Sequence, residues 1–178
     1  INDEIVHGIP EAGRILREGD IVSIDVGAIY EGYYGDSAVT VPVGKISNEA
    51  QKLLFVTRES LEKAIDAVVP GATVGDISAA VESFVVANGM SVVKEFVGHG
   101  IGRKLHEEPP VPNFGQQGTG AKLEYGMTIA IEPMVCAGSA ETTIRENGWT
   151  AVARDGSWSA HFEHTIAVTE NGCEVLTS

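Results

Sequence analysis

Residues 21 to 41 hold two strand-length runs with an acid in each, and no other stretch limits the possible folds as much. In Ile21-Val22-Ser23-Ile24-Asp25-Val26-Gly27-Ala28-Ile29, a period of two puts Val22, Ile24, Val26 and Ala28 on one face of a strand and Ser23 and Asp25 on the other. A turn at Tyr30-Glu31-Gly32 folds Tyr33 to Val41 back alongside, setting Asp36 opposite or nearly opposite Asp25. Like charges facing each other across strands repel, and in an apolar hairpin they need a proton or a cation between them. A divalent metal site is the simplest remedy. Two ordinary solvated acids explain this one segment equally well, so the rest of the chain has to discriminate.

The remainder reads as one domain, residues 1 to 178, of ordinary globular composition. No apolar run approaches the roughly 20 residues that cross a bilayer, so no membrane span is expected. Twelve Lys and Arg against 25 Asp and Glu give a formal charge of −13, which repels nucleic-acid backbones and anionic membranes and favours cations, including peptide N-termini. Direct nucleic-acid binding is therefore not expected. Cys136 and Cys173 are too few for a disulfide framework and lack a Cys-x-x-Cys spacing, which predicts reduced structural thiols and a cytoplasmic setting. The chain opens at Ile1, without an initiator Met, inside a strand-like run.

Beyond the hairpin, Glu4-Ile5-Val6-His7 is a short extended piece ended by Gly8 and Pro10. Ser47 is a helix N-cap for a stripe of Ala50, Leu53, Leu54, Leu61, Ala64, Ile65 and Val68 that stops at Pro70-Gly71. A second helix runs from Thr73 or Val74 to about Asn88. Ser91 to Val97 is a strand leading into Gly98-His99-Gly100-Ile101-Gly102, where glycines permit close backbone approach around one histidine. His106 follows in a loop stiffened by Pro109 and Pro110. Met127 to Met134 is a buried strand with Glu132 at its end, interrupted at Pro133. Thr142 to Val152 holds two short strands around Asn147-Gly148, the second with Trp149, and Ser159 to Val168 is one strand with His161, Glu163 and Thr165 on one face.

The acids directed inward by this patterning are Asp25, Asp36, Glu132 and Glu163, with His99 as the nitrogen donor. Four carboxylates and an imidazole are too negative to cluster bare, and they suit two divalent cations in a two-metal hydrolase. Oxygen-rich ligation accommodates Mn, Fe, Co or Zn.

The motifs Asn2-Asp3-Glu4-Ile5-Val6-His7-Gly8-Ile9-Pro10, Ile24-Asp25-Val26, Gly35-Asp36, Gly98-His99-Gly100-Ile101-Gly102, His106-Glu107-Glu108-Pro109, Glu132-Pro133-Met134 and Phe162-Glu163-His164-Thr165 together resemble type I methionine aminopeptidase. They stand in that family's order, with its spacings of 11 between the aspartates, 7 between the histidines and 31 between the glutamates. The resemblance implies an α+β pita-bread fold, two pseudo-symmetric halves around a curved antiparallel sheet. It also implies removal of the N-terminal Met from nascent proteins and peptides by a monomer with two divalent ions. By analogy Asp25, Asp36, His99, Glu132 and Glu163 are the metal ligands, Asp36 and Glu163 bridging, and Glu132 also shuttles a proton. His106 bonds the scissile carbonyl and His7 lies near the scissile amide, while Trp149 and Leu105 line the methionine pocket. Trp149 fits a core aromatic as well.

Three departures stand out. Leu105 occupies a position where relatives often have an aromatic residue, His161 occupies one where Gln is common, and relatives carry further catalytic-domain sequence upstream of Ile1. A prolidase or aminopeptidase P of the same fold is the enzymatic alternative, disfavoured by His106-Glu107-Glu108-Pro109. A metal-free peptide-binding module of that fold, or an inactive truncated fragment, are the others.

Overall fold

The computed structural model describes residues 1–178. In chain order the elements are β1 Glu4–Val6, β2 Ile21–Tyr30, β3 Tyr33–Pro42, α1 Asn48–Asp66, α2 Val74–Ala87, β4 Ser91–Val92, β5 Gly98–Gly100 and β6 Glu107–Val111. Then follow β7 Thr128–Ile131, β8 Met134–Cys136, β9 Thr142–Ile144, β10 Ala151–Ala153, β11 Ser159–His161, β12 Glu163–Thr169 and β13 Gly172–Val175. The main antiparallel sheet runs β2-β3-β12-β7-β5-β6, with β13 pairing β12, and two three-stranded sheets, β1-β10-β9 and β11-β8-β4, flank it.

The β2–β3 hairpin turns on Glu31 and Gly32, both at positive φ (50° and 82°), as a two-residue type I′ connection demands. Its register pairs Gly27 with Asp36 and Asp25 with Ala38. Asp25 and Asp36 therefore share a face as diagonal neighbours two residues apart in register, not as a directly opposed pair. Behind them, Ile24 (46% exposed), Val26 (57%) and Val39 (42%) leave the apolar face of the hairpin open to solvent.

Helix α1 starts where expected because Ser47 Oγ accepts the Ala50 N–H at 3.1 Å, closing one of the donors that a first turn leaves free. In α2 the Asp76 carboxylate reaches back to the Thr73 N–H at 2.7 Å. The helices pack on each other, and α1 also lies against β7, β8 and β11. Leu53, Val56, Leu61, Ile77 and Val81 from the helices meet Ile129, Ile131 and Ile166 from the sheet in one buried cluster. Each such side chain contributes about 1.5–3 kcal/mol of burial, which fixes the sheet that carries the acids.

Five expectations need correction. Helix α1 ends at Asp66, before Pro70-Gly71, and Trp149 precedes β10 rather than lying in it. The run Ser159 to Val168 is not one strand: it breaks at Phe162, whose N–H turns to the Pro133 carbonyl, so β11 and β12 belong to different sheets. The strand placed at Ser91 to Val97 covers only Ser91 and Val92. The proline-rich segment after His106 is an edge strand, β6, where missing amide hydrogens cost no ladder partner on the open side. At Pro133 the ladder does stop, β7 ending at Ile131 and β8 resuming in another sheet.

Candidate active site

The acid-bearing strands meet on one face of the main sheet. Strand β12 lies between β3 and β7, with Glu163 paired to Ala38 and His164 to Ile131. Strand β5 pairs with β7 through His99 and Ala130, and Glu132 follows the end of β7. Close approach at β5 requires glycine: a Cβ on Gly98 would run into the Ala130 carbonyl oxygen, and one on Gly100 into that of Glu108.

Oxygen atoms of Asp36 and Glu163 and a ring nitrogen of His99 all lie within 4.8 Å of one another. All three residues are buried, Glu163 at 2% exposure. Glu132 adjoins them, Oε1 standing 3.4 Å from His99 Nε2. Asp25 shares the Asp36 face but stands outside that three-residue group, and it is the least buried of the five candidate ligands.

Two threonines fix this geometry, and sequence reasoning missed both. Thr165 Oγ1 accepts the Asp36 N–H at 2.9 Å and donates to the Asp36 carbonyl at 2.8 Å. Thr40 does the same for His161, at 2.8 Å in each direction. The pair sits symmetrically about the Ala38–Glu163 pairing, each hydroxyl standing in for two ladder bonds where the strands part. The available signal was their placement two residues beyond Ala38 and Glu163 on the inward face. Changing Thr165 to Val strands two buried backbone groups, so we expect a loss of about 1–3 kcal/mol, read as a lower urea midpoint with unchanged slope, with Thr165→Ser close to wild type.

Electrostatically the cluster is frustrated. Burial, then the charge of Glu132, Asp36 and Asp25, pushes Glu163 up to about 10. Burial, then Asp25 and Asp36, pushes Glu132 up to about 8. Asp25 rises to about 6 through desolvation in the cleft and the charge of Asp36. His99 is held below the usual imidazole range, chiefly by desolvation. Its Nδ1 stands 2.9 Å from the Gly100 carbonyl, an acceptor only, so Nδ1 carries the hydrogen and Nε2 turns a lone pair toward the acids. Glu163 Oε1 is buried without any hydrogen-bond partner. An orphaned carboxylate oxygen, an imidazole lone pair and converging acids form a donor set that suits hard or borderline divalent cations.

The other sequence candidates surround this cluster. The His106 ring stands edge-on to His99, centroids 4.3 Å apart, and is exposed. Leu105 lies over the hairpin: a Cβ on Gly27 would sit 3.7 Å from both Leu105 Cδ1 and Asp36 Oδ1. His7, at φ 61°, stands between Phe96 and Trp149, with ring centroids 5.4 and 5.3 Å away. A non-glycine residue held there is strained, which focuses attention on what its side chain does. Trp149 is 60% exposed, which removes the reading of a core aromatic. A cleft of about 540 Å³ includes His7, Ile9, Leu16, Asp25 and His161 in its lining. Cys136 is buried and Cys173 half-buried, and both are free thiols.

The metallopeptidase family M24 profile matches residues 1–170. The chain belongs to metallopeptidase family M24. Within it, the methionine aminopeptidase of Clostridium acetobutylicum is 50% identical over 177 residues, covering 99% of this chain and 71% of the relative. The crystal structure of methionine aminopeptidase from Thermotoga maritima superposes with a TM-score of 0.98 at 53% identity, over 99% of this chain and 71% of that one. Prolidase from Pyrococcus furiosus is more distant, at TM-score 0.75 and 27% identity, with 97% of this chain and 45% of that one covered. The M24 pita-bread fold accounts for the curled antiparallel sheet backed by α1 and α2. These likenesses do not favour the prolidase alternative.

Proposed function

We propose that this M24 chain is a metal-dependent methionyl aminopeptidase that removes an N-terminal methionine from peptides and nascent proteins. The observation that carries the reading is the meeting of Asp36, His99 and Glu163 in a chain 50% identical to a methionine aminopeptidase over 99% of its length. In this reading residues 1–178 form one catalytic domain, working in the cytoplasm, where its free thiols stay reduced.

Asp25, Asp36, His99, Glu132 and Glu163 would hold two divalent ions. Mn, Fe, Co and Zn all suit these donors, and availability selects among them. When bound, such ions supply Lewis acidity, lowering the pKa of water and polarising the scissile carbonyl. The chain supplies the rest. The Glu132 carboxylate, beside His99 at the edge of the cluster, takes a proton from the attacking water and returns it to the leaving amine. His106, exposed beside His99, donates to the carbonyl oxygen as negative charge grows there. His7, braced by Phe96 and Trp149, orients the scissile amide from the cleft side. Trp149 and Leu105 line the methionine side-chain pocket, and aliphatic Leu105 makes it wider than an aromatic would.

The test strips the protein with chelator, restores single divalent metals and follows free methionine from Met-Ala-Ser beside a control peptide with Pro at the second position of an otherwise Met-free sequence. We expect metal-dependent release from the first and little cleavage of the second. Metal uptake without methionine release would overturn the assignment.

A further inference from the structure

Glu132 is bracketed by two imidazoles. While Oε1 faces His99 Nε2, Oε2 stands 3.7 Å from Nε2 of His161. His161 is 2% exposed, and its Nε2 is buried without a hydrogen-bond partner. A buried ring nitrogen left unpaired costs about 1–3 kcal/mol, so its position needs an explanation.

The backbones on both sides of this contact are pinned. Thr40 Oγ1 holds both the N–H and the carbonyl of His161. Asn113 Nδ2 donates to the Glu132 carbonyl at 3.1 Å. No hydrogen bond holds the Glu132 side chain, and a small rotation of it would bring Oε2 within hydrogen-bond reach of the ring. We propose that His161 is a positioning residue, its Nε2–H donating to Glu132 Oε2 so that Oε1 is left directed at the cation shared with His99. The inference rests on the metal-site reading above. A ligating carboxylate usually has its second oxygen tied by a neighbouring donor, and loss of that donor lowers metal affinity by about 10–100-fold. Glutamine at this position offers an amide N–H to the same oxygen, whereas leucine offers none.

Calorimetric titration of the chelator-treated intact protein with Mn²⁺ tests this. We expect His161→Leu to weaken binding about 10–100-fold while His161→Gln stays within a few-fold of wild type. Equal binding by wild type and His161→Leu overturns the proposal, as does an equal loss in both variants, which marks mere packing. A second readout needs no variant: in the Zn²⁺-loaded wild type, ring ¹⁵N shifts should put the His161 hydrogen on Nε2 and the His99 hydrogen on Nδ1. A His161 hydrogen on Nδ1, or direct zinc coordination by His161, overturns it. Wild type that takes up no metal removes the metal-site reading itself, which separates the two failures.

Discussion

Replacing Glu163 by Gln is expected to cut metal-supported methionine release by a factor on the order of 10³ or more while leaving the fold intact. Glu163 is the most deeply buried of the acids, and its Oε1 has no partner in the protein, so its charge is compensated only by a cation. The amide has nearly the same shape but no charge to hold a metal, and Lewis-acid assistance worth several kcal/mol is lost with it. Because burial keeps Glu163 protonated well above neutral pH without metal, the neutral amide should not destabilise the chelated protein. Steady-state kinetics of methionine release, with thermal melts of both chelated proteins at pH 7, checks both halves. Unchanged activity, or a collapsed melt in the chelated variant, would contradict the role given to this carboxyl.

The second large effect concerns pH and metal together. In the chelated protein Glu163 and Glu132 titrate near 10 and 8, above the ordinary 4.5. Asp25 titrates near 6, above 3.8. The folded state therefore keeps protons that the unfolded chain has released. Stability from these groups is full below about pH 4 and declines as pH rises toward 6, 8 and 10 in turn, each retained proton costing about 1.4 kcal/mol per pH unit within its window. Metal reverses the sign of the effect, since it binds the deprotonated acids and gains affinity as pH rises. At a concentration a hundredfold above its dissociation constant it adds about 2.7 kcal/mol. Chelated protein should thus melt lower at pH 8 than at pH 6, and added Mn²⁺ should raise the melt more at pH 8. Titration in buffers of different ionisation enthalpy should show proton release on metal uptake. A flat melt between these pH values without metal would mean that the acids do not crowd one another as described.

Much of this centre was legible in the residues. A period of two marks both runs as strands, and a two-residue turn at Glu31-Gly32, with positive φ at both positions, then puts Asp25 and Asp36 on one face. Ser47 starts α1 because capping acts locally, whereas the helix ends at Asp66 with Ala67 as its C-cap, before Pro70-Gly71 is reached. Pro133 stops the ladder after Glu132 for a local reason too. Alternation says nothing about register, however, and only the folded hairpin puts Gly27 rather than Asp25 across from Asp36. Nor does local patterning announce the break at Phe162, which arises because the Thr40 hydroxyl and the Pro133 carbonyl, distant in sequence, take over the hydrogen bonds of a continuing strand.

Covalent order and side-chain chemistry thus decide which groups face inward and where helices begin, since these depend on neighbours a few residues away. The meeting of Asp36, His99 and Glu163, and the His161 ring set against Glu132, depend on how β3, β5, β11 and β12 pack around one another. Those distances are fixed by a shared apolar core and by the two threonine hydroxyls, and no stretch of chain holds that information alone.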